Sequence, residues 1–335
     1  MKKRCFLKLI SISLIISLFA GCASVATGGA QKKVKIVFGD PDWDSVRFHN
    51  AVAGFIAKTA FNLDTEEMKG TTPTTLLGLK NGDIDVLMEM WTDNIATYKD
   101  EIEKGTIKEL GVNFDDNKQG FYVPRYVIYG DKSRGIAPMA PDLKSVADLA
   151  KYKDLFKDEE QPGKGRIYGA LSGWDIDNVM YNKYKYYGLD KDFTYFRPGS
   201  DSAMVATFTS AYERGEAIVG YYWEPTWIMG KYDFVLLDDK PYNVTDFKDG
   251  KCACPSVRVT ICGSNNLLEK APEFSEFLKK YKTSSALTSK ALSHMNETGA
   301  TYEDTAKWFL KENNSLLDEW LPSDKAAEVR SALAL

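Results

Sequence analysis

Histidine is scarce in this chain: 335 residues contain only two, at positions 49 and 294. Neither lies near the C-terminal cysteines, and no His/Cys group has the spacing of a zinc site. A nucleophile elbow, a phosphate-cradling glycine loop and an HExxH helix are missing too. These absences remove the usual hydrolase, nucleotide-binding and metalloenzyme signatures, and neither metal nor organic cofactor is expected. No apolar run reaches the roughly 20 residues that span a bilayer. Positive charge is also short, with 43 Lys and Arg against 47 Asp and Glu for a net charge of -4. Lys2, Lys3, Arg4 and Lys8 belong to an N-terminal leader, so loss of residues 1–21 takes the balance from -4 to about -8. Such an acidic chain is a poor partner for nucleic acid or anionic lipid.

The leader has a basic start and a nearly charge-free apolar run over 9–20, the pattern of a secretory signal. Ala20-Gly21-Cys22 resembles a bacterial lipobox, with Phe19 where Leu is usual, and so predicts a diacylglycerol on Cys22. Ordinary signal cleavage, with Cys22 a bystander, is the alternative. Residues 22–33 are small and polar, as a tether requires. Removing 1–21 leaves 314 of the 335 residues, enough for two domains. With Cys5 removed and Cys22 lipidated, Cys252, Cys254 and Cys262 remain, allowing at most one disulfide. A bridge from Cys262 to Cys252 or Cys254 is preferred over a metal site.

Strand-like and helix-like runs alternate, which predicts an α/β fold. Strands are expected over 34–38, 84–88, 167–171, 217–222, 234–237 and 257–261, with an extended crossing segment over 122–128. A helix capped by Asp44 or Ser45 carries Phe48, Val52, Phe55 and Ile56 at helical spacing. Further helices are expected over 74–79, after Asp175, over 200–212 and through most of the chain beyond Glu273. No solenoid-period repeat is present.

Aromatic residues, by contrast, make up 13% of the chain, with 18 Tyr and seven Trp. Four tryptophans stand where strand-like runs end, beside acidic or turn-forming residues. The local texts are Pro41-Asp42-Trp43-Asp44-Ser45, Met88-Glu89-Met90-Trp91-Thr92-Asp93, Ser172-Gly173-Trp174-Asp175 and Tyr221-Tyr222-Trp223-Glu224-Pro225. Indole faces carry negative potential, so several around one cavity form a box for a cation that donates no hydrogen bonds. A quaternary ammonium compound is the ligand this pattern points to. Trp227 is expected to pack behind the box and Trp308 and Trp320 to lie in the core. Phe121, Tyr122, Tyr221 and Tyr222 are candidates for a fourth wall.

Together with Leu79-Lys80-Asn81-Gly82-Asp83-Ile84-Asp85-Val86, Tyr122-Val123-Pro124, Trp223-Glu224-Pro225-Thr226-Trp227 and Leu317-Asp318-Glu319-Trp320-Leu321, these texts resemble a known family. It is that of the substrate-binding proteins of ABC importers for glycine betaine, choline and related solutes, and the resemblance covers nearly all of the mature chain. It implies a type II periplasmic-binding-protein-like clamp of two α/β lobes, each a mixed sheet flanked by helices. Lobe one would comprise 34–124 plus 235–335 and lobe two 125–234, with crossings near Pro124 and Phe234. Trp43 and Trp91 would meet Trp174 and Trp223 across the cleft. Asp44, Ser45, Ser172, Asp175 and Thr226 would offer polar groups beside them. The implied protein is a monomeric, lipid-anchored receptor outside the cell membrane that performs no chemistry and delivers its ligand to an ABC permease.

Where betaine-binding relatives can carry His after the Pro of Trp-x-Pro, this chain has Thr226. A neutral hydroxyl holds a carboxylate less well, and Asp44 and Asp175 tolerate a net cation better than a zwitterion. Choline, carnitine and other betaines therefore stand beside glycine betaine. Two rivals remain open: a secreted carbohydrate-active hydrolase with an aromatic-lined cleft, and a solute sensor lipoprotein without a transporter. Paired acids such as Asp83 and Asp85 or Asp238 and Asp239 read as solvated surface charge rather than as a catalytic pair.

Overall fold

Ten short strands set the architecture of the computed structural model, which describes residues 33–335. The leader, Cys22 and the tether up to residue 32 lie outside the described residues. In chain order the strands are β1 Lys35–Asp40, β2 Asp64–Lys69, β3 Val86–Trp91, β4 Lys108–Phe114, β5 Gln119–Pro124, β6 Gly165–Tyr168, β7 Phe193–Phe196, β8 Gly220–Trp223, β9 Phe234–Leu236 and β10 Val259–Gly263. They form two five-stranded sheets, ordered β2-β1-β3-β10-β4 and β7-β6-β8-β5-β9. In each, the first three strands run parallel, and a strand from the other half of the chain inserts antiparallel: β10 beside β3 and β4, β5 beside β8 and β9. The fold is the expected pair of mixed sheets flanked by helices.

The sequence explains which strands lie where. β3, Val-Leu-Met-Glu-Met-Trp, is buried at every residue, as a central strand covered on both faces should be. β2, Asp-Thr-Glu-Glu-Met-Lys, is the charged and largely exposed edge. The helix Asp44–Ala60 buries Val46, Phe48, Val52 and Ile56 and is covered by the C-terminal helices Ser285–Thr298, Tyr302–Glu312 and Ser323–Ala332. Ser200 caps the helix Asp201–Arg214 by accepting from the Ala203 amide at 3.1 Å. No described helix is long and apolar enough to cross a membrane.

Several expectations are corrected. The segment over 122–128 is extended only to Pro124; from Arg125 it is the short helix Arg125–Tyr129, burying Tyr126, Val127 and Ile128. β5, counted with lobe one, pairs with β8 and β9 of the second sheet, so the chain leaves the first sheet after Phe114. It returns in the stretch before β10. The two crossings are stitched together: Asn117 Nδ2 donates to the Val257 carbonyl at 2.6 Å, and the Val257 amide donates back to Asn117 Oδ1 at 2.9 Å.

The expected disulfide is absent, since Cys252, Cys254 and Cys262 are all free. Cys262 is buried on β10 of the first sheet beside Tyr98 and Thr260. Cys252 exchanges hydrogen bonds with the Asn243 backbone on the return stretch. Two of the supposed surface acids are structural instead. Asp85 is buried, accepting from Lys270 Nζ at 2.7 Å and the Val37 amide at 2.8 Å, and Asp239 is paired with buried Lys183.

Candidate functional site

Each of the four tryptophans is placed by the end of a strand or the turn that follows one. Trp91 and Trp223 are the last residues of β3 and β8. Trp43 is the extended residue preceding the helix Asp44–Ala60. Trp174 follows Gly173 in the turn before the helix Ile176–Tyr186. Open α/β sheets bind ligands at such carboxyl ends.

The four indoles line one cavity, about 520 Å³ including the part open to solvent, with Glu89, Asp175 and Tyr221 among the other walls. Trp43 and Trp174 meet at 5.7 Å between ring centroids and 88°, and Trp174 and Trp223 at 5.0 Å and 89°. Trp223 is nearly parallel to Tyr221 (6.0 Å, 17°) and Tyr222 (5.0 Å, 20°). The four rings are only 4% to 8% exposed, so the two sheets are closed over the cavity.

Closure is fastened at Trp174, whose indole N–H donates to the Pro41 carbonyl across the cleft at 3.4 Å. Gly173 allows this approach. Its φ is +100°, and a Cβ there would stand 2.9 Å from Thr71 Cγ2 of the opposite lobe. Both the backbone and the space demand glycine. Gly173→Ala should weaken ligand binding about tenfold, since a strained backbone costs on the order of 1–3 kcal/mol; calorimetric titration of the folded variant measures it, and unchanged affinity would free the turn from that role.

Sequence reasoning missed Glu89. It sits within β3, 3% exposed, and its Oε2 accepts the indole N–H of Trp43 at 2.7 Å and of Trp91 at 3.1 Å. One carboxylate thereby fixes two of the four rings. Burial pushes the Glu89 pKa up to about 7, against the pull of Trp43, Ser45 and Trp91. His49 stands 3.6 Å away but supplies no charge, because burial drives its pKa down to about 3. Burial also raises the pKa of Asp175. Among the described residues, no Lys, Arg or His lines this cavity. The readable signal was a lone acid inside an otherwise apolar strand.

Asp44, Ser45 and Thr226 are not in this cavity. They line a second chamber, about 250 Å³ including the part open to solvent, on the other side of Trp223, with Asp201, Tyr222 and Trp227. Asp44 accepts the Tyr302 hydroxyl at 2.6 Å. Thr226 is used locally: it caps the helix Trp227–Lys231 by accepting from the Met229 amide at 3.4 Å, and donates to the Trp223 carbonyl at 3.3 Å. Ser172 is exposed and is not among the cavity walls. Of the possible fourth walls only Tyr221 lines the cavity, its hydroxyl donating to Gln119 at 3.0 Å. Trp227 packs behind Trp223 as expected and Trp320 is core. Trp308 is half-buried, stacked on His294 at 3.9 Å.

Residues 34–312 match the family model described as the substrate-binding domain of the ABC-type glycine betaine transport system. An uncharacterized protein of Chromohalobacter salexigens is 26% identical over 160 residues, 48% of this chain and 91% of that protein. Among solved structures, a choline-binding protein of an ABC transporter in complex with choline superposes with a TM-score of 0.69 at 21% identity, covering 89% of this chain and 98% of that one. Lactococcal OpuAC, closed on glycine betaine, gives a TM-score of 0.66 at 21% identity over 86% of this chain and 99% of its own. A glycine betaine/L-proline-binding protein of Borrelia burgdorferi gives 0.67 at 21% identity over 88% and 99%. These similarities establish the two-lobe fold. The family match spans most of the chain, which therefore belongs to the substrate-binding domains of glycine betaine-type ABC transport systems and is a binding protein, not an enzyme.

Proposed function

We propose that this chain, as a member of that family, is an extracytoplasmic receptor that closes on a small quaternary ammonium compound and hands it to an ABC permease. The observation that carries the reading is the cavity itself. Trp43 and Trp91 come from one sheet and Trp174 and Trp223 from the other, and consecutive rings stand at near right angles like adjoining walls.

A trimethylammonium group spreads its charge over methyls and has no N–H, so aromatic faces select it over small hydrated cations. A desolvated cation–π contact is worth about 2 kcal/mol, and three or four give roughly 6–8, near the ~8 that a micromolar dissociation constant requires. Closure then follows from binding, because the ligand bridges rings of both lobes and stabilises only the closed arrangement.

The charge of the walls favours a choline-like net cation. Two carboxylates line the cavity, and the indole N–H groups of Trp43, Trp91 and Trp174 are already donated to Glu89 and to Pro41. A ligand carboxylate would sit near Glu89 and Asp175 with few free donors, and an unpaired buried charge is costly. The start of the helix Ile176–Tyr186 still offers backbone N–H groups to a hydroxyl or a carboxylate. The lipid on Cys22, the tether and a monomeric state belong to the same proposal.

Calorimetric titration with choline, glycine betaine, carnitine and proline tests the reading. Choline should bind at least tenfold more tightly than glycine betaine, and proline should not bind. Equal affinity for proline would sink the aromatic-box account, and preference for glycine betaine would overturn the charge argument.

A further inference from the structure

We propose that capture of a cation in this cavity expels a proton from Glu89, so that the receptor's affinity follows pH through that residue. This rests on the quaternary ammonium reading and adds a coupling to protons that the reading does not contain.

Glu89 has an incomplete set of partners. Its Oε2 takes both indole N–H groups, but neither Oε1 nor the nearby Ser45 hydroxyl makes a hydrogen bond of good geometry, although Ser45 still helps to hold the carboxylate pKa down. From the helix Asp44–Ala60, the groups facing Glu89 are Ser45 and His49. His49 Nδ1 lies 2.8 Å from the Tyr281 hydroxyl, and its Nε2 lies 3.4 Å from the Thr288 hydroxyl and 3.6 Å from Glu89 Oε1. From the opposite lobe the acidic wall is Asp175. Phe114 of β4 packs on both Trp91 and His49 and brings no charge.

An ionised Glu89 is therefore a buried anion held by two indole N–H groups and the Ser45 hydroxyl with no countercharge, a state that favours protonation. Its pKa near 7 and the neutral state of His49 agree with that balance.

A quaternary ammonium among the rings supplies the missing charge. The protonated carboxyl loses its O–H proton to solvent, the electron pair stays on the carboxylate, and the cation remains as its partner. The ionised carboxylate also draws on the N–H of Trp43 and Trp91, which makes their faces more negative and better suited to a cation.

The sign follows from linkage. The ligand prefers ionised Glu89, so affinity is weak where Glu89 is protonated, rises as pH passes through about 7, and levels off above it. The pKa of Asp201, in the neighbouring chamber near Asp44, Asp42 and Arg47, is pushed up to about 8, by burial above all, and the comparison of variants separates its titration from that of Glu89.

The test is calorimetry of choline binding to the wild-type protein and to Glu89→Gln, in phosphate and in Tris, whose ionisation heats differ. At pH 7 the wild type should release about half a proton more per choline than Glu89→Gln, and its affinity should fall about tenfold from pH 8 to pH 5.5 while that of the variant stays flat. Asp201→Asn, outside the cavity, should keep the release. The uncharged isostere of choline, with carbon in place of nitrogen, should bind wild type without the release; this comparison does not depend on any variant folding.

Saturable choline binding with no Glu89-dependent proton release overturns the inference and leaves the quaternary ammonium reading standing. Equal release with the uncharged isostere, or loss of the Glu89-dependent release in Asp201→Asn, also overturns it. No binding of any quaternary amine at any pH overturns both.

Discussion

Trp223→Ala should weaken quaternary ammonium binding by about thirtyfold, the loss of one desolvated cation–π wall worth about 2 kcal/mol. The position magnifies the effect. Trp223 touches Trp174, lies parallel to Tyr221 and Tyr222, and separates the ligand cavity from the chamber lined by Asp44, Asp201 and Thr226. Removing it joins the two spaces and admits water beside the cation. Truncating a buried Trp also costs about 3–5 kcal/mol of stability, so melting curves must accompany the titration. Trp223→Phe keeps a ring and should lose less of both. Trp308→Ala, outside the cavity and stacked on His294, should bind as wild type does. Wild-type affinity in a folded Trp223→Ala protein would remove that ring from the box.

An equally large effect on stability is expected at Lys183. Its side chain on the helix Ile176–Tyr186 is only 2% exposed, and its ammonium is paired with Asp239, itself 6% exposed, and donates to the Cys252 carbonyl. Asp239 also accepts from the Tyr187 hydroxyl and the Lys240 amide. This cluster fastens the stretch returning to the first sheet onto the second lobe. Removing one partner leaves the other buried and uncompensated, at a cost of about 3–5 kcal/mol. Lys183→Met should show that loss in urea unfolding, and the Lys183→Met/Asp239→Leu double variant should recover much of it. Additive losses in the double variant would mean that the two side chains act independently.

How much of this was legible in the sequence depended on the range of the interaction. Strand–helix alternation, the helix over 200–212 and the tryptophans at strand ends are local or periodic features, and the text carries them. β3 was harder. The expected strand over 84–88 stopped short of Glu89, whereas the strand runs on to Trp91. The role of Glu89 was hidden because its partners are an indole 46 residues away and one two residues away.

Asp44, Ser45 and Thr226 line the neighbouring chamber rather than the tryptophan cavity for a related reason. Being next to Trp43 or close to Trp223 in sequence does not aim a side chain at the cavity. A helix rotates each successive residue by about 100°, and Asp44 is committed to Tyr302, 258 residues away. Thr226 is committed to a helix cap. The expected disulfide failed because its cysteines lie on different parts of the fold, Cys262 within β10 and Cys252 beside Lys183.

Enclosure of a quaternary nitrogen by tryptophans of both lobes is decided by a crystal structure of the protein grown with choline. The nitrogen should lie within about 6 Å of the ring centroids of Trp43, Trp174 and Trp223, with Glu89 behind the rings. Choline bound elsewhere, or a nitrogen that touches the rings of one lobe only, would refute that enclosure.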